Sequence, residues 1–185
     1  FSSPCNPSGS VYNREELTAL AKVLEKHPHV YVVSDEIYEH INFSGTFCSI
    51  ASIPGMLERT ITVNGVAKAF AMTGWRIGYI GAPEFIAKAC TKIQGQVTSG
   101  ANSIAQRATI TAVEADPSVL NEMVSAFKSR RDLVVGLVKE IPGFKLNVPE
   151  GAFYVFPDVS YYFGKTIKGT EIKNATDFSM FLLAE

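Results

Sequence analysis

Lys68 is the residue from which a chemistry can be read. It lies in Val63–Tyr79, VNGVAKAFAMTGWRIGY, an almost uncharged run of small and apolar residues with Arg76 eight positions later and glycines at 65, 74 and 78. A lysine in such a setting is of the type whose pKa falls enough for its amine to form a Schiff base with a carbonyl compound. Arg76 has the planar fork that grips a phosphate at two points, and Gly74 and Gly78 let the backbone come close to a bulky ligand. A carbonyl and a phosphate in one small molecule suggest pyridoxal phosphate. The competing reading is an edge lysine and a structural arginine in an ordinary α/β loop, because the spacing is short and common.

Two further stretches place polar side chains where such a ligand would need them. Ser34, Asp35 and Glu36 arrive abruptly after the apolar, β-rich run Val30–Val33, and in open α/β sheets ligands gather at the carboxyl ends of strands. A carboxylate there could keep a pyridine nitrogen protonated, making the ring an electron sink for a carbanion at a substrate's α carbon. It could also be no more than a cap on the next turn. Tyr38 follows Asp35 by three and would share its side of a helical turn. Asn6, in the turn NPSG, has Pro7 and Gly9 to fix where its amide points, although Asn-Pro alone is only a turn signal.

The elements that must hold these groups follow from periodicity. Asn13 and Glu16 stand at the two positions of a capping box, and Leu17, Leu20, Ala21 and Leu24 form one apolar face, so a helix should run to about His27. Val30–Val33 shows no alternation and reads as a parallel strand covered on both faces. Thr60–Asn64 is a second such strand, delivering the chain to Lys68, and Gly78–Ala82 a third, ended by Pro83 at the first turn of a helix with Phe85, Ile86, Ala89 and Ile93 as its buried stripe. After the polar interval Gln96–Ser103, a helix marked by Ile104, Ala105, Ala108 and Ala112 stops at Asp116 and Pro117. A long helix then carries Leu120, Val124, Phe127, Val134, Leu137, Val138 and Ile141 at helical spacing. Beyond it, Phe144–Val148 and Ala152–Phe156 read as short strands joined at Pro149–Gly151, and Thr176–Glu185 as a helix.

The 185 residues are 46% hydrophobic, with a formal net charge of −1 and both signs scattered along the chain. That argues against nucleic acid or an anionic membrane as partner. Cys5, Cys48 and Cys90 are odd in number and lack C-x-x-C spacing, which argues against a disulfide framework or a zinc site and fits a cytoplasmic location. His27, His29 and His40 have no ligand spacing. No apolar run reaches the roughly 20 residues of a membrane span, and no charged-then-apolar leader opens the chain. It begins at Phe1 rather than methionine, which suggests a fragment.

With these residues in view, AKAFAMTGWRIGY together with DEIY and NPSG resembles the class I aminotransferases, fold type I enzymes that use pyridoxal phosphate, and the wording is close to that of bacterial aspartate aminotransferases. The resemblance implies an α/β fold: a three-layer α/β/α large domain, here residues 1–117, followed by a linking helix and part of a smaller α+β C-terminal domain, residues 118–185. It implies amino-group exchange between an amino acid, of aspartate or glutamate type, and a 2-oxo acid. Lys68 would hold the cofactor and shuttle the proton. Asp35 would face the ring nitrogen, Tyr38 and Asn6 the phenolic oxygen, and Arg76 the phosphate.

Gly65 and Ala67 stand where many relatives have a serine, so a hydroxyl contact to the phosphate is not expected there. Pro149–Phe156, PEGAFYVF, resembles the strand lining the substrate side. The family's phosphate-cradling turn and its carboxylate-binding arginine are not in these residues, so the chain alone should bind cofactor weakly and not transaminate. A homodimer is implied for the full-length protein, with Gln96–Ser103 near the partner's site. Aromatic or alanine specificity, and a non-catalytic effector domain of a transcription regulator, are the alternatives.

Overall fold

A computed structural model describes residues 1–185. The first helix, α1 (Arg14–Leu24), begins as the sequence requires. Asn13 accepts hydrogen bonds from the amides of Glu15 and Glu16, at 2.9 and 3.0 Å, and the Glu16 carboxylate accepts the Asn13 amide at 2.9 Å. Leu17 and Ala21 are buried, whereas Leu20 is turned outward. The buried pair packs with Val32, Ile50, Ile53 and Met56 into the principal apolar cluster. Each large aliphatic side chain buried there stabilises the fold by about 1.5–3 kcal/mol. Arg59 closes the far end of the α1 connection by donating to the carbonyls of Val30 and Leu24 at 3.0 and 2.8 Å.

The main sheet has three strands, β1 (Val32–Asp35), β2 (Thr60–Asn64) and β3 (Tyr79–Gly81), in that order. β1 and β2 are parallel, with Asp35 opposite Val63, and β3 returns antiparallel to β2. On the other edge of β1, residues 1–3 run alongside, with the Asp35 amide donating to Phe1 O and the Ser3 amide to Asp35 O. The first strand is thus shifted by two residues from the expected Val30–Val33, and the acid expected just beyond a strand is the strand's last residue.

Burial corrects two expectations. β1 alternates buried and exposed residues, with Val32 and Ser34 inside and Val33 55% exposed, so only one face of the strand is covered within this chain. Likewise α2 (Glu84–Val97) buries none of its residues; Phe85 and Ile93 are more than 60% exposed, and Phe85 meets only the edge of Tyr31. The apolar stripe is real, but within these residues only Ile86 and Ala87 of the helix are even partly covered.

α3 (Ser103–Val113) and α4 (Asn121–Lys139) follow as expected, α3 capped by Asn102. Of the α4 stripe, Phe127 stacks on Phe153, while Val134 and Leu137 remain exposed. No helix is long and apolar enough to cross a membrane. The two strands expected in 144–156 do not form. That stretch makes only isolated bridges, Lys145 with Asp158 and Asn42 with Gly151. Its backbone partners are loops distant in sequence, which a local pattern does not reveal. The small sheet is instead the hairpin β4 (Lys165–Ile167) and β5 (Thr170–Ile172), turning at Lys168 and Gly169, both at positive φ, with α5 (Ala175–Ala184) after it.

Candidate active site

Lys68 owes its position to its neighbours. After β2 the chain makes a tight turn in which Val66 and Ala69 are fully or almost fully buried, held by the bond from Phe70 N to Val66 O at 3.2 Å. Lys68, between them, points the other way. Its amine lies 5.8 Å from the centre of the Tyr38 ring and 5.5 Å from that of Phe153. It is only part-exposed and no carboxylate lies within ion-pair distance. An amine over two aromatic faces, without an acid to neutralise it, is available to a ligand.

Tyr38 is 3% exposed. Its hydroxyl is 2.7 Å from the hydroxyl of Tyr154, and the Asn6 side chain approaches the same oxygen. Burial pushes the phenol's pKa well up, the Tyr154 hydroxyl and the negative charge of Asp35 add to this, and Asn6 opposes them. Tyr38 is therefore a neutral hydrogen-bond donor at any physiological pH. Asp35 is exposed, and its only acceptor duty is to the Ile37 amide at 3.2 Å, the turn-capping contact anticipated above. The rest of its carboxylate remains open.

Asn6, Asp35, Tyr38 and Lys68 thus meet at the carboxyl end of β1 and β2. Arg76 stands apart from that contact network. It adopts a left-handed backbone conformation (φ 55°) after a single 3-10 turn, is exposed, and donates to Thr73 O at 2.9 Å. It lines a wide cleft of about 1480 Å³ with Trp75, Tyr79 and residues of α2 and α3; none of the other four candidates contributes to that wall. A small-molecule pocket is about 300–1,000 Å³ and enclosed. The cleft is therefore less informative about chemistry than the cluster around Lys68.

Glycine does most at Gly65. A β-carbon there would come within 2.9 Å of Ile77 O and 3.1 Å of Gly78 Cα, so absence of a side chain is what lets the Lys68 turn lie against the segment carrying Arg76. Gly74, by contrast, would meet nothing and faces the cleft. Close by, Glu39 accepts Asn64 Nδ2 at 2.8 Å and pairs with His40 at 3.3 Å, fixing the last residue of β2 before the turn.

Sequence reasoning singled out the segment around residues 149–156 but not Tyr154 within it. That segment is fastened by Ala152 N to Ile41 O at 2.8 Å and Phe43 N to Glu150 O at 2.7 Å. Ala152, at φ 57°, turns the chain so that Phe153 and Tyr154 reach Lys68 and Tyr38. The aromatic pair after two small residues was the available signal, but Tyr154 meets Tyr38 across 116 positions of sequence.

The donor set suits the group suggested by the sequence: a free amine for a carbonyl, an open carboxylate for a ring nitrogen, a neutral phenol and an amide for a phenolic oxygen, and a guanidinium with unused N–H groups for a phosphate. The family profile "Aminotransferase class I and II" matches residues 1–185. An aspartate aminotransferase of Pinus pinaster is 49% identical over 95% of this chain and 36% of its own length. A bifunctional aspartate aminotransferase and glutamate/aspartate-prephenate aminotransferase of Petunia hybrida is 48% identical over 98% of this chain and 39% of its own. The crystal structure of an aspartate aminotransferase from Rhizobium meliloti superposes with a TM-score of 0.95 at 45% identity, over 100% of this chain and 47% of that one. The chain spans less than half the length of these relatives. Its mixed helices and sheet are the corresponding part of the fold type I architecture, and the chain belongs to the class I and II aminotransferase family.

Proposed function

We propose that this chain is the central part of a pyridoxal-phosphate-dependent aminotransferase that moves an amino group between aspartate or glutamate and a 2-oxo acid. The observation that carries the reading is the Lys68 amine, free of any carboxylate and placed over the Tyr38 and Phe153 rings beside the Asp35 strand end. When bound, the cofactor supplies an electron sink for the substrate's α carbon. Lys68 would hold it through its side-chain amine, and the same amine would carry the proton that leaves the substrate's α carbon. Asp35 keeps the ring nitrogen protonated. Tyr38 and Asn6 donate to the phenolic oxygen, and Arg76 holds the phosphate through charge-assisted hydrogen bonds, each contributing roughly 1.5–3 kcal/mol.

Residues 1–117 are on this reading the later part of the cofactor-binding domain, and 118–185 a linking helix and part of the small domain. The assembly is a homodimer. Its location is the cytoplasm, in keeping with three free cysteines.

The test uses the full-length protein loaded with pyridoxal phosphate, whose visible spectrum is followed while amino acids are added singly. Conversion of the bound cofactor to its amino form by aspartate or glutamate, reversed by oxaloacetate, 2-oxoglutarate or prephenate, is the expected result and ranks the substrates. A cofactor-binding protein whose spectrum ignores every amino acid would point to an effector-binding role instead.

A further inference from the structure

The hydroxyls of Tyr38 and Tyr154 form a pair that the roles assigned so far leave half unexplained. A tyrosine hydroxyl has one proton to give and two lone pairs to fill. At 2.7 Å, either member of this pair can be the donor. With Tyr38 donating to Tyr154, the Tyr38 proton is unavailable to a third atom. With the direction reversed, Tyr154 supplies the Tyr38 oxygen, and the Tyr38 proton is released towards the open side of the site, where Lys68 Nζ lies 5.8 Å from its ring.

We propose that Tyr154 is a positioning residue: on cofactor binding it turns from acceptor to donor, filling a lone pair of Tyr38 so that Tyr38 can give its own proton to the cofactor's phenolic oxygen. This rests on the proposed cofactor chemistry. Chained hydrogen bonds polarise one another, so a Tyr38 that receives from Tyr154 donates more strongly onward. Tyr154 is held for this duty by backbone rather than by chance packing: Ala152 is fully buried and bonded to Ile41 O, three residues beyond Tyr38. The charged and titratable groups around the pair are Asp35 at the end of β1, Lys68 on the turn after β2, and Tyr154 itself. Neither Asp35 nor Lys68 bonds the Tyr154 hydroxyl, whose partner is Tyr38.

Tyr154→Phe keeps the ring and its contacts with Tyr38 and Phe153 and removes only the hydroxyl. Two measurements on the full-length protein decide the matter. In the cofactor-free protein with ζ-carbon-labelled tyrosine, the NMR signal of Tyr38, identified as the one lost in Tyr38→Phe, should shift in Tyr154→Phe. In the loaded protein, the pH midpoint of the bound cofactor's visible transition should rise by roughly half to one unit, because a weaker donor leaves the phenolic oxygen more basic. In a Tyr38→Phe background, Tyr154→Phe should add nothing.

An unchanged midpoint, or a shift of equal size in the Tyr38→Phe background, would overturn the assignment and leave Tyr154 as packing alone. A parent protein with no bound visible band would overturn the proposed function as well, and the NMR shift would then report separately whether the hydroxyl pair exists.

Discussion

The Lys68 amine and the Phe153 ring, 5.5 Å apart, join the turn after the second strand of the main sheet to a segment that lies beyond the long helix α4. The lysine is thus enclosed by aromatic rings from two parts of the chain, and its charge is met by π faces instead of a carboxylate. Lys68→Ala in the full-length protein should abolish amino transfer, while the thermal midpoint changes by no more than the equivalent of about 0.5 kcal/mol, because the side chain makes no hydrogen bond whose loss uncovers a buried partner. Activity assay with calorimetry tests both halves. Turnover retained by the alanine variant would end the catalytic assignment.

Asp35 has two candidate duties that separate cleanly. As the partner of a ring nitrogen, its removal in Asp35→Ala should reduce turnover at least about 100-fold, or ~2.7 kcal/mol of barrier. As a cap for Ile37, its loss should cost stability of about 1 kcal/mol and leave turnover nearly intact. We expect the first, with a smaller contribution of the second; steady-state kinetics and an unfolding curve on the same preparation separate them.

Gly65→Ser would add the hydroxyl that the family resemblance leads one to expect at that position, but here it should harm the protein. Its β-carbon must displace the backbone at Ile77 and Gly78, and overpacking of this kind costs typically about 1–3 kcal/mol. The expected outcome is a lower unfolding midpoint together with weaker cofactor retention, measured by dialysis, because the displaced segment carries Arg76. A gain in affinity would mean that the turn can open to accept the hydroxyl.

The Glu39–His40 pair predicts a pH dependence. Burial would raise the Glu39 pKa, but the hydrogen bond and charge of His40 and the amide of Asn64 more than offset it, and the net direction is below the usual 4.5. The hydrogen bond to Glu39 raises His40 above the usual 6.5, against a lowering from burial. The Glu39 contribution is present above 4.5 and is lost as pH falls through its lowered folded value; the His40 contribution is complete below 6.5 and is lost as pH rises through its raised one. The stability difference between the parent and His40→Gln should therefore be largest between these reference values and fade on the alkaline side. Unfolding curves across pH test it, and a difference that does not vary with pH would refute the pairing.

The parts of this arrangement legible in the sequence are those fixed by near neighbours. Asn13 and Glu16 announce the capping box of α1 within four residues, and the acid of Asp35 after a β-rich run announces a strand end. The exposure of Phe85 and Ile93 was not legible, because periodicity says that a helix has an apolar face and is silent on what covers it. The extended stretch 144–156 was misread as paired strands for a related reason. Its backbone bonds go to Gly9, Ile41, Phe43 and Asp158, so the two runs do not pair with each other. Tyr154 was hidden by the same long-range folding.

Gly9 closes this circuit. Its carbonyl accepts the amides of both Glu150 and Gly151, at 2.8 and 3.0 Å, and Pro149, fully buried, sits where a side chain at Gly9 would be. The turn that carries Asn6 and the segment that carries Tyr154 are consequently one mechanical piece, with Tyr38 clamped between them. A displacement of the elements that follow Tyr154 would therefore leave Asn6, Tyr38 and Tyr154 in the same mutual geometry, because the bonds at Gly9, Ile41 and Phe43 all lie on the near side of it.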